Sequence, residues 1–180
     1  MVTPPKIANP AALGLAGFAL TTFLLSCKNA GLPVGDAFLG FAFFYGGAAQ
    51  LLAGMWEFPS GNTFGATAFC SYGAFWMGTG FWAMFVNPKN PNDLAYILFA
   101  WMIFTLYMTI EAVRHAAMPV KLVFVVLSLT FILLWIGAGF GQAELITLGG
   151  YAGILTAALA WYASWKVAHD AHPAIDPMGR

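Results

Sequence analysis

Charged side chains are scarce in this sequence. Of its 180 residues only 8% are Asp, Glu, Lys or Arg, while 61% are hydrophobic and the mean hydropathy is +0.78. A soluble domain carries about 25% charged residues, so the composition excludes an ordinary soluble fold. It points to a multi-pass protein of the cell (cytoplasmic) membrane, with the lipid bilayer as its solvent. Formal net charge is zero, which leaves no basic surface for nucleic acid. Cysteine is nearly absent. Cys27 and Cys70 stand in apolar surroundings without metal-ligand spacing, and two buried small hydrophobes is the simpler reading. The opening MVTPPKI lacks the charged region and small-residue cleavage site of a signal peptide, so the first apolar stretch is expected to be retained.

A second absence concerns position. No Asp, Glu, Lys, Arg or His falls in the middle of any long apolar run. Pumps and proton-coupled carriers commonly place an ionisable relay there. A haem protein would need an axial ligand well inside the membrane, and an intramembrane enzyme a nucleophile or metal pair with a partner base. None is recognisable. The expectation is therefore no catalytic residue, no metal and no cofactor. The connections between runs are short, which leaves no room for a soluble catalytic domain.

What is present is apolar sequence in spanning lengths. A membrane helix needs about 20 mostly apolar residues, and six runs qualify: 10–27, 35–55, 63–86, 93–112, 120–140 and 143–166. Short turns rich in glycine, proline and asparagine separate them. The fold expected is an all-α membrane protein of six transmembrane helices over 1–168, followed by a short polar tail, 169–180. With the N-terminus in the cytoplasm, Lys6, Arg114, Lys121, Lys166 and Arg180 lie inside and only Lys28 and Lys89 outside. That satisfies the positive-inside rule with both termini cytoplasmic. Glu57, Arg114 and His115 fall near loop ends, an ordinary place for charge.

Twenty glycines and seventeen phenylalanines suggest close helices with bulky plugs between them. In 9–26, NPAALGLAGFALTTFLLS, Asn9 is a good N-cap and Pro10 suits the first helical position. At helical spacing Pro10, Gly14, Gly17 and Thr21 share a stripe, with Phe18 and Thr22 beside it. The second run repeats Gly40, Gly47 and Gly54 every seven residues, a groove for a neighbouring helix. Gln50 lies on the same side, serving either an interhelical hydrogen bond or a solute. In the third run, Asn62 or Thr63 is a candidate cap. Tyr72 carries a hydroxyl that needs a partner in a dry site, where pure packing would use Phe. Thr105 and Thr109 share a stripe in the fourth run, and such hydroxyls usually bond back to their own helix.

The stretch at 9–26 resembles the signature of the succinate/acetate permease family of small six-helix membrane proteins, N-P-A-P-L-G-L followed by Gly-Phe. Asn9, Pro10, Ala11, Leu13, Gly14, Leu15, Gly17 and Phe18 match, and Ala12 stands where the family has a second proline. The blocks Tyr45-Gly46-Gly47-Ala48-Ala49-Gln50, Gly61-Asn62-Thr63-Phe64-Gly65 and Ser71-Tyr72-Gly73-Ala74-Phe75-Trp76 resemble the family's in the same order. The resemblance implies passage of acetate and related small carboxylate anions, including succinate, by proteins described both as proton-linked permeases and as anion channels. It implies homo-oligomers, namely hexamers, with one pore per protomer. Phe18, Tyr72 and Leu127 would form a hydrophobic constriction, with Leu129 or Leu133 as other counterparts in a repetitive run. Asn9 would shape the cytoplasmic mouth. Gln50, Thr21 and Thr22 join the lining by stripe position.

Three readings remain at this point. The charge-free spans favour a passive anion channel, in which hydroxyls and amides replace part of the ion's hydration. A proton-coupled acetate/succinate symporter is the alternative within this first reading, and a pore for a small neutral solute is the second. A membrane module that transports nothing is the third.

Overall fold

The computed structural model describes residues 7–87 and 90–171, so Lys6, Lys89, Arg180 and residues 172–180 of the expected tail lie outside the described residues. Six helices of spanning length follow one another: α1 (Ala11–Asn29), α2 (Phe38–Glu57), α3 (Thr63–Phe85), α4 (Asp93–His115), α5 (Met118–Gly139) and α6 (Ala143–Asp170). Five of them combine that length with high mean hydropathy. The exception, α3, carries Gly65, Gly73, Gly78 and Gly80 with Ser71, Tyr72 and three threonines. These depress its hydropathy without exposing it, since much of one side is buried against α2 and the centre.

Helix boundaries follow local chemistry. Asn9 Oδ1 accepts from the Ala11 amide at 3.0 Å, and Pro10 takes helical dihedrals while its carbonyl accepts from Gly14 at 3.1 Å. Asn62 is the N-cap of α3, its Oδ1 accepting from the Gly65 amide at 3.0 Å. Pro119 sits in the first turn of α5, where a missing N–H leaves nothing unpaired. The turns after α1, α2 and α5 each use a left-handed glycine: Gly31 (φ 77), Gly61 (φ 77) and Gly141 (φ 65).

The second helix differs from the straight run expected at 35–55. It starts at Phe38 and contains a π-helical turn, Phe44–Ala49, before Gln50–Glu57 resumes α geometry. Gly46 in that turn packs against the Thr21 side chain of α1, and a Cβ there would collide with it. Gly17 of α1 in turn abuts the Tyr45 carbonyl, where a Cβ would lie 2.5 Å from the oxygen. The wide turn thus bends one backbone onto another, and such π turns concentrate at functional sites. Of the heptad glycines, Gly47 and Gly54 meet Met77 and Cys70 of α3, while Gly40 faces open space.

The helices close a ring in the order α1, α6, α5, α4, α3, α2. Gly150 and Gly153 bring α6 onto Ala30 and Ser26 of α1, and the Ser164 hydroxyl donates to the Ala12 carbonyl at 2.7 Å. The start of α1 and the end of α6 therefore share one end of the bundle, called here the near end. Backbones stand farthest apart between α3 and α4. Aromatic side chains fill that seam: Tyr72 and Phe75 of α3 meet Trp101 of α4, with ring centroids 5.8 and 4.9 Å apart.

Candidate functional site

Two cavities enter the ring from opposite ends. The near cavity, about 380 Å³, is lined by Asn9, Gln50, Asn62 and His115 among apolar groups, and includes Phe18, Tyr72 and Leu127. The far cavity, about 420 Å³, is lined by Lys28, Asp36, Thr79 and Trp82, and includes Phe75. Between them lies a buried cluster of rings. Phe18 and Tyr72 stand 5.7 Å apart, Tyr72 lies 6.2 Å from Phe124, and Phe75 lies 5.8 Å from Phe131. Phe18, Tyr72 and Leu127, from three different helices, are 5%, 3% and 4% exposed. Neither Leu129, which is half-exposed on the outside of α5, nor Leu133 lines either cavity.

The structure brings five of the seven expected site residues to the near cavity: Asn9, Phe18, Gln50, Tyr72 and Leu127. Thr21 and Thr22 line neither cavity. Thr21 is fully buried, and its hydroxyl donates to Gly17 O at 3.1 Å with a longer contact to Phe41 O at 3.4 Å. It holds the π turn against α1. Stripe position placed it on the pathway because that reading could not show which neighbour α1 presents its stripe to.

Polar groups at this site are mostly neutral. Gln50 is 1% exposed, and its Oε1 has no hydrogen-bond partner among the described residues. The Tyr72 hydroxyl lies 2.8 Å from Thr105 Oγ1. Starts of α1, α3 and α5 converge at the near end, so the positive ends of three helix dipoles face the same mouth. At the far end Lys28 pairs with Asp36 and lies 5.8 Å above the Phe38 ring, and Trp82 Nε1 donates to Asp93 Oδ2 at 3.5 Å.

One charge departs from its expected place. Glu57 was read with the loop-end charges, yet it is 1% exposed. Its Oε2 accepts from Asn62 Nδ2 at 2.8 Å, while Oε1 has no partner among the described residues. Asn62 and Gly65, which line the near cavity, lie between Glu57 and that space. The signal was faint: a glutamate five residues before an N-cap asparagine, across a tight turn. Arg114 and His115, by contrast, are exposed beside Glu111 at 4.0 and 3.8 Å. Sequence reasoning also missed Asn62 and Phe75 as lining residues, and Thr105 as the partner of Tyr72.

Comparison with known proteins agrees in sequence and in fold. The sequence profile of the GPR1/FUN34/yaaH family matches residues 1–174. The succinate-acetate/proton symporter SatP of Escherichia coli K12 is 41% identical over 165 residues, covering 87% of this chain and 86% of that protein. The ammonia transport outward protein 2 of Saccharomyces cerevisiae is 40% identical over 170 residues, covering 87% of this chain. This chain spans only 60% of that yeast relative's length. Among solved structures, that of the bacterial acetate channel SatP superposes with a TM-score of 0.86 at 38% identity, covering 92% of this chain and 94% of the other.

Proposed function

The chain belongs to the GPR1/FUN34/yaaH family, and from that premise we propose that it passes acetate and related small carboxylates, including succinate, across the cell membrane as a passive anion channel. Each protomer has its own path, running from the near cavity through the Phe18–Tyr72–Leu127 constriction to the far cavity. The reading rests on one observation above all: two cavities separated by a ring cluster that contains a hydroxyl but no carboxylate, amine, guanidinium or imidazole. A carboxylate entering from the near end meets Gln50 and then Tyr72, neutral groups that replace part of its hydration without trapping it. Its methyl end suits Phe18 and Leu127. Nothing in this scheme requires covalent chemistry, so the protein acts as a transporter and not as an enzyme.

Arg114, Lys121 and Lys166 flank the near end and Lys28 the far end. The positive-inside rule then puts the near end, and with it both termini, in the cytoplasm. Exposed apolar faces such as Phe44, Leu52 and Trp56 on α2 and Phe81 and Phe85 on α3 suit either lipid or sister protomers in a hexamer.

A second reading, proton-coupled symport, has one observation in its favour: the buried Glu57 carboxylate behind the wall of the near cavity, with an oxygen free. Acetate flux into proteoliposomes, with membrane potential and pH gradient set independently, separates the two. Flux that follows voltage and carries current supports the channel. Electroneutral flux that needs the proton gradient overturns it in favour of the symporter, and absence of acetate flux overturns both.

A further inference from the structure

Threonines in this bundle differ in where their hydroxyls go, and the buried hydroxyls of Thr22 and Thr79 have no partner among the described residues. Thr21, Thr109, Thr130, Thr147 and Thr156 each donate to the carbonyl four residues earlier in their own helix, which is the usual habit of a threonine hydroxyl in a helix. Thr105 makes no such bond. It is 0% exposed, and the partner of its hydroxyl among the described residues is Tyr72, at 2.8 Å.

The geometry allows either hydroxyl to donate, and the supply of acceptors decides between them. Each hydroxyl has one proton to give, and a buried donor left without an acceptor is strongly disfavoured. If Tyr72 donated to Thr105, the Thr105 proton would be stranded in a dry helix seam. If Thr105 donates to Tyr72, its proton is satisfied and the free proton belongs to Tyr72 instead. Tyr72 lines the near cavity, where water or a solute can take that proton. Only the second arrangement leaves both protons of this pair with a possible acceptor.

We infer that Thr105 is a positioning residue that holds the Tyr72 hydroxyl as a hydrogen-bond donor to the permeation path and makes the constriction select for solutes that only accept. A carboxylate is acceptor-only and fits this polarity. An amide or undissociated acid can also accept through its carbonyl, but more weakly than a carboxylate, and its own proton meets a phenol oxygen that already accepts from Thr105. Accepting from Thr105 also polarises the phenol O–H and strengthens its donation. The inference rests on the transport reading for its consequence, though not for the direction of the bond.

The test joins a spectroscopic readout to a flux ratio. The Raman doublet of tyrosine differs between a phenol that accepts and one that donates, and subtracting the Tyr72→Phe spectrum isolates Tyr72. Replacing Thr105 with Val, a near-isostere without the hydroxyl, should shift that signal toward the donor end. A shift toward the acceptor end overturns the inference. In proteoliposomes the acetate flux relative to acetamide should fall about threefold in Thr105→Val. It should stay near wild type in Thr105→Ser, which keeps the donor, and in Thr130→Val, which removes a buried hydroxyl elsewhere. An unchanged ratio in a folded Thr105→Val protein overturns the inference, and Thr105→Ala supplies the same two readouts should the valine variant misfold. If wild type passes no acetate while the Raman shift has the expected sign, the transport reading falls and the bond direction stands.

Discussion

The two cavities are nearly equal in size and unlike in chemistry. The far one, about 420 Å³, opens past an ion pair, Lys28 with Asp36, whose side chains are 44% and 65% exposed. The near one, about 380 Å³, is walled mainly by amides, Asn9, Gln50 and Asn62, with the exposed imidazole of His115 beside them. The difference shows where charge is tolerable on an anion's route. At a wet mouth a cation is screened within about 10 Å and gathers anions without holding them. Beside the rings water is scarce, and a full charge there would either be too costly to bury or bind its counterion too firmly to release. Neutral dipoles give up less hydration and less grip. The contrast depends first on the rings keeping the cavities apart.

The largest effect should follow from removing that separation. Phe18→Ala joins the two cavities, and the ratio of succinate to acetate flux should rise about tenfold, with total flux increased. A buried Phe→Ala change ordinarily costs about 3–5 kcal/mol, and the cavity already beside Phe18 places the loss at the lower end. Thermal melting in detergent, measured on the same preparation, checks that folding survives. An unchanged flux ratio in folded protein would remove Phe18 from the constriction.

Gln50 tests the near side. Its Oε1 is buried without a partner, so Gln50→Leu removes an unsatisfied group and not a hydrogen bond from that oxygen. Melting temperature should hold or rise, while acetate flux falls about threefold because a neutral dipole is lost near the rings. Were the amide an interhelical link, the opposite pattern would appear, with stability lost and flux kept.

The far side should respond more weakly and only at low salt. Lys28→Gln should lower acetate flux about twofold at low ionic strength, and Asp36→Asn should raise it about twofold by freeing the lysine. Both effects should vanish near 1 M salt, where the screening length is about 3 Å. Neither change should move the melting temperature much, since an exposed pair contributes about 1 kcal/mol or less. A salt-independent effect would mean that Lys28 holds structure and not charge.

How much of this was readable in the chain depends on whether a feature is local. Six helices were legible because each apolar run is about as long as a span, and the Asn62 cap because an N-cap needs only its own next three residues. The π turn at Phe44–Ala49 was not, because it exists through a contact between Gly46 and Thr21 of another helix. Thr105 and Thr109 look alike in sequence, one turn apart on a stripe. One bonds its own helix and the other faces Tyr72, a difference set by the seam between α3 and α4. Tyr72 itself was singled out by its hydroxyl, while Phe18 and Leu127 came through the family resemblance. Thr21 and Gln50 were picked by the same stripe logic, and the structure leaves one buried against the π turn and brings the other to the near cavity.

Glu57 carries the smallest expected effect and the sharpest consequence for the comparison of the two ends. It is the one buried carboxylate among the described residues, and it lies at the near end, behind a cavity wall of amides and the His115 imidazole. Replacing it with Gln keeps an oxygen for Asn62 Nδ2 to donate to, so the turn between α2 and α3 should persist. In a passive channel Glu57 supports that turn from behind the wall and takes no part in conduction. Voltage-driven acetate flux in Glu57→Gln should then stay within about twofold of wild type, with the same dependence on pH. A proton-coupled carrier using Glu57 would behave differently, because a glutamine cannot take up a proton and release it. Its flux would lose dependence on the proton gradient while the melting temperature stayed put. That outcome would make the near end the site of a mobile charge, and the contrast between an ion pair at the far cavity and an amide wall at the near one would have to be drawn the other way round.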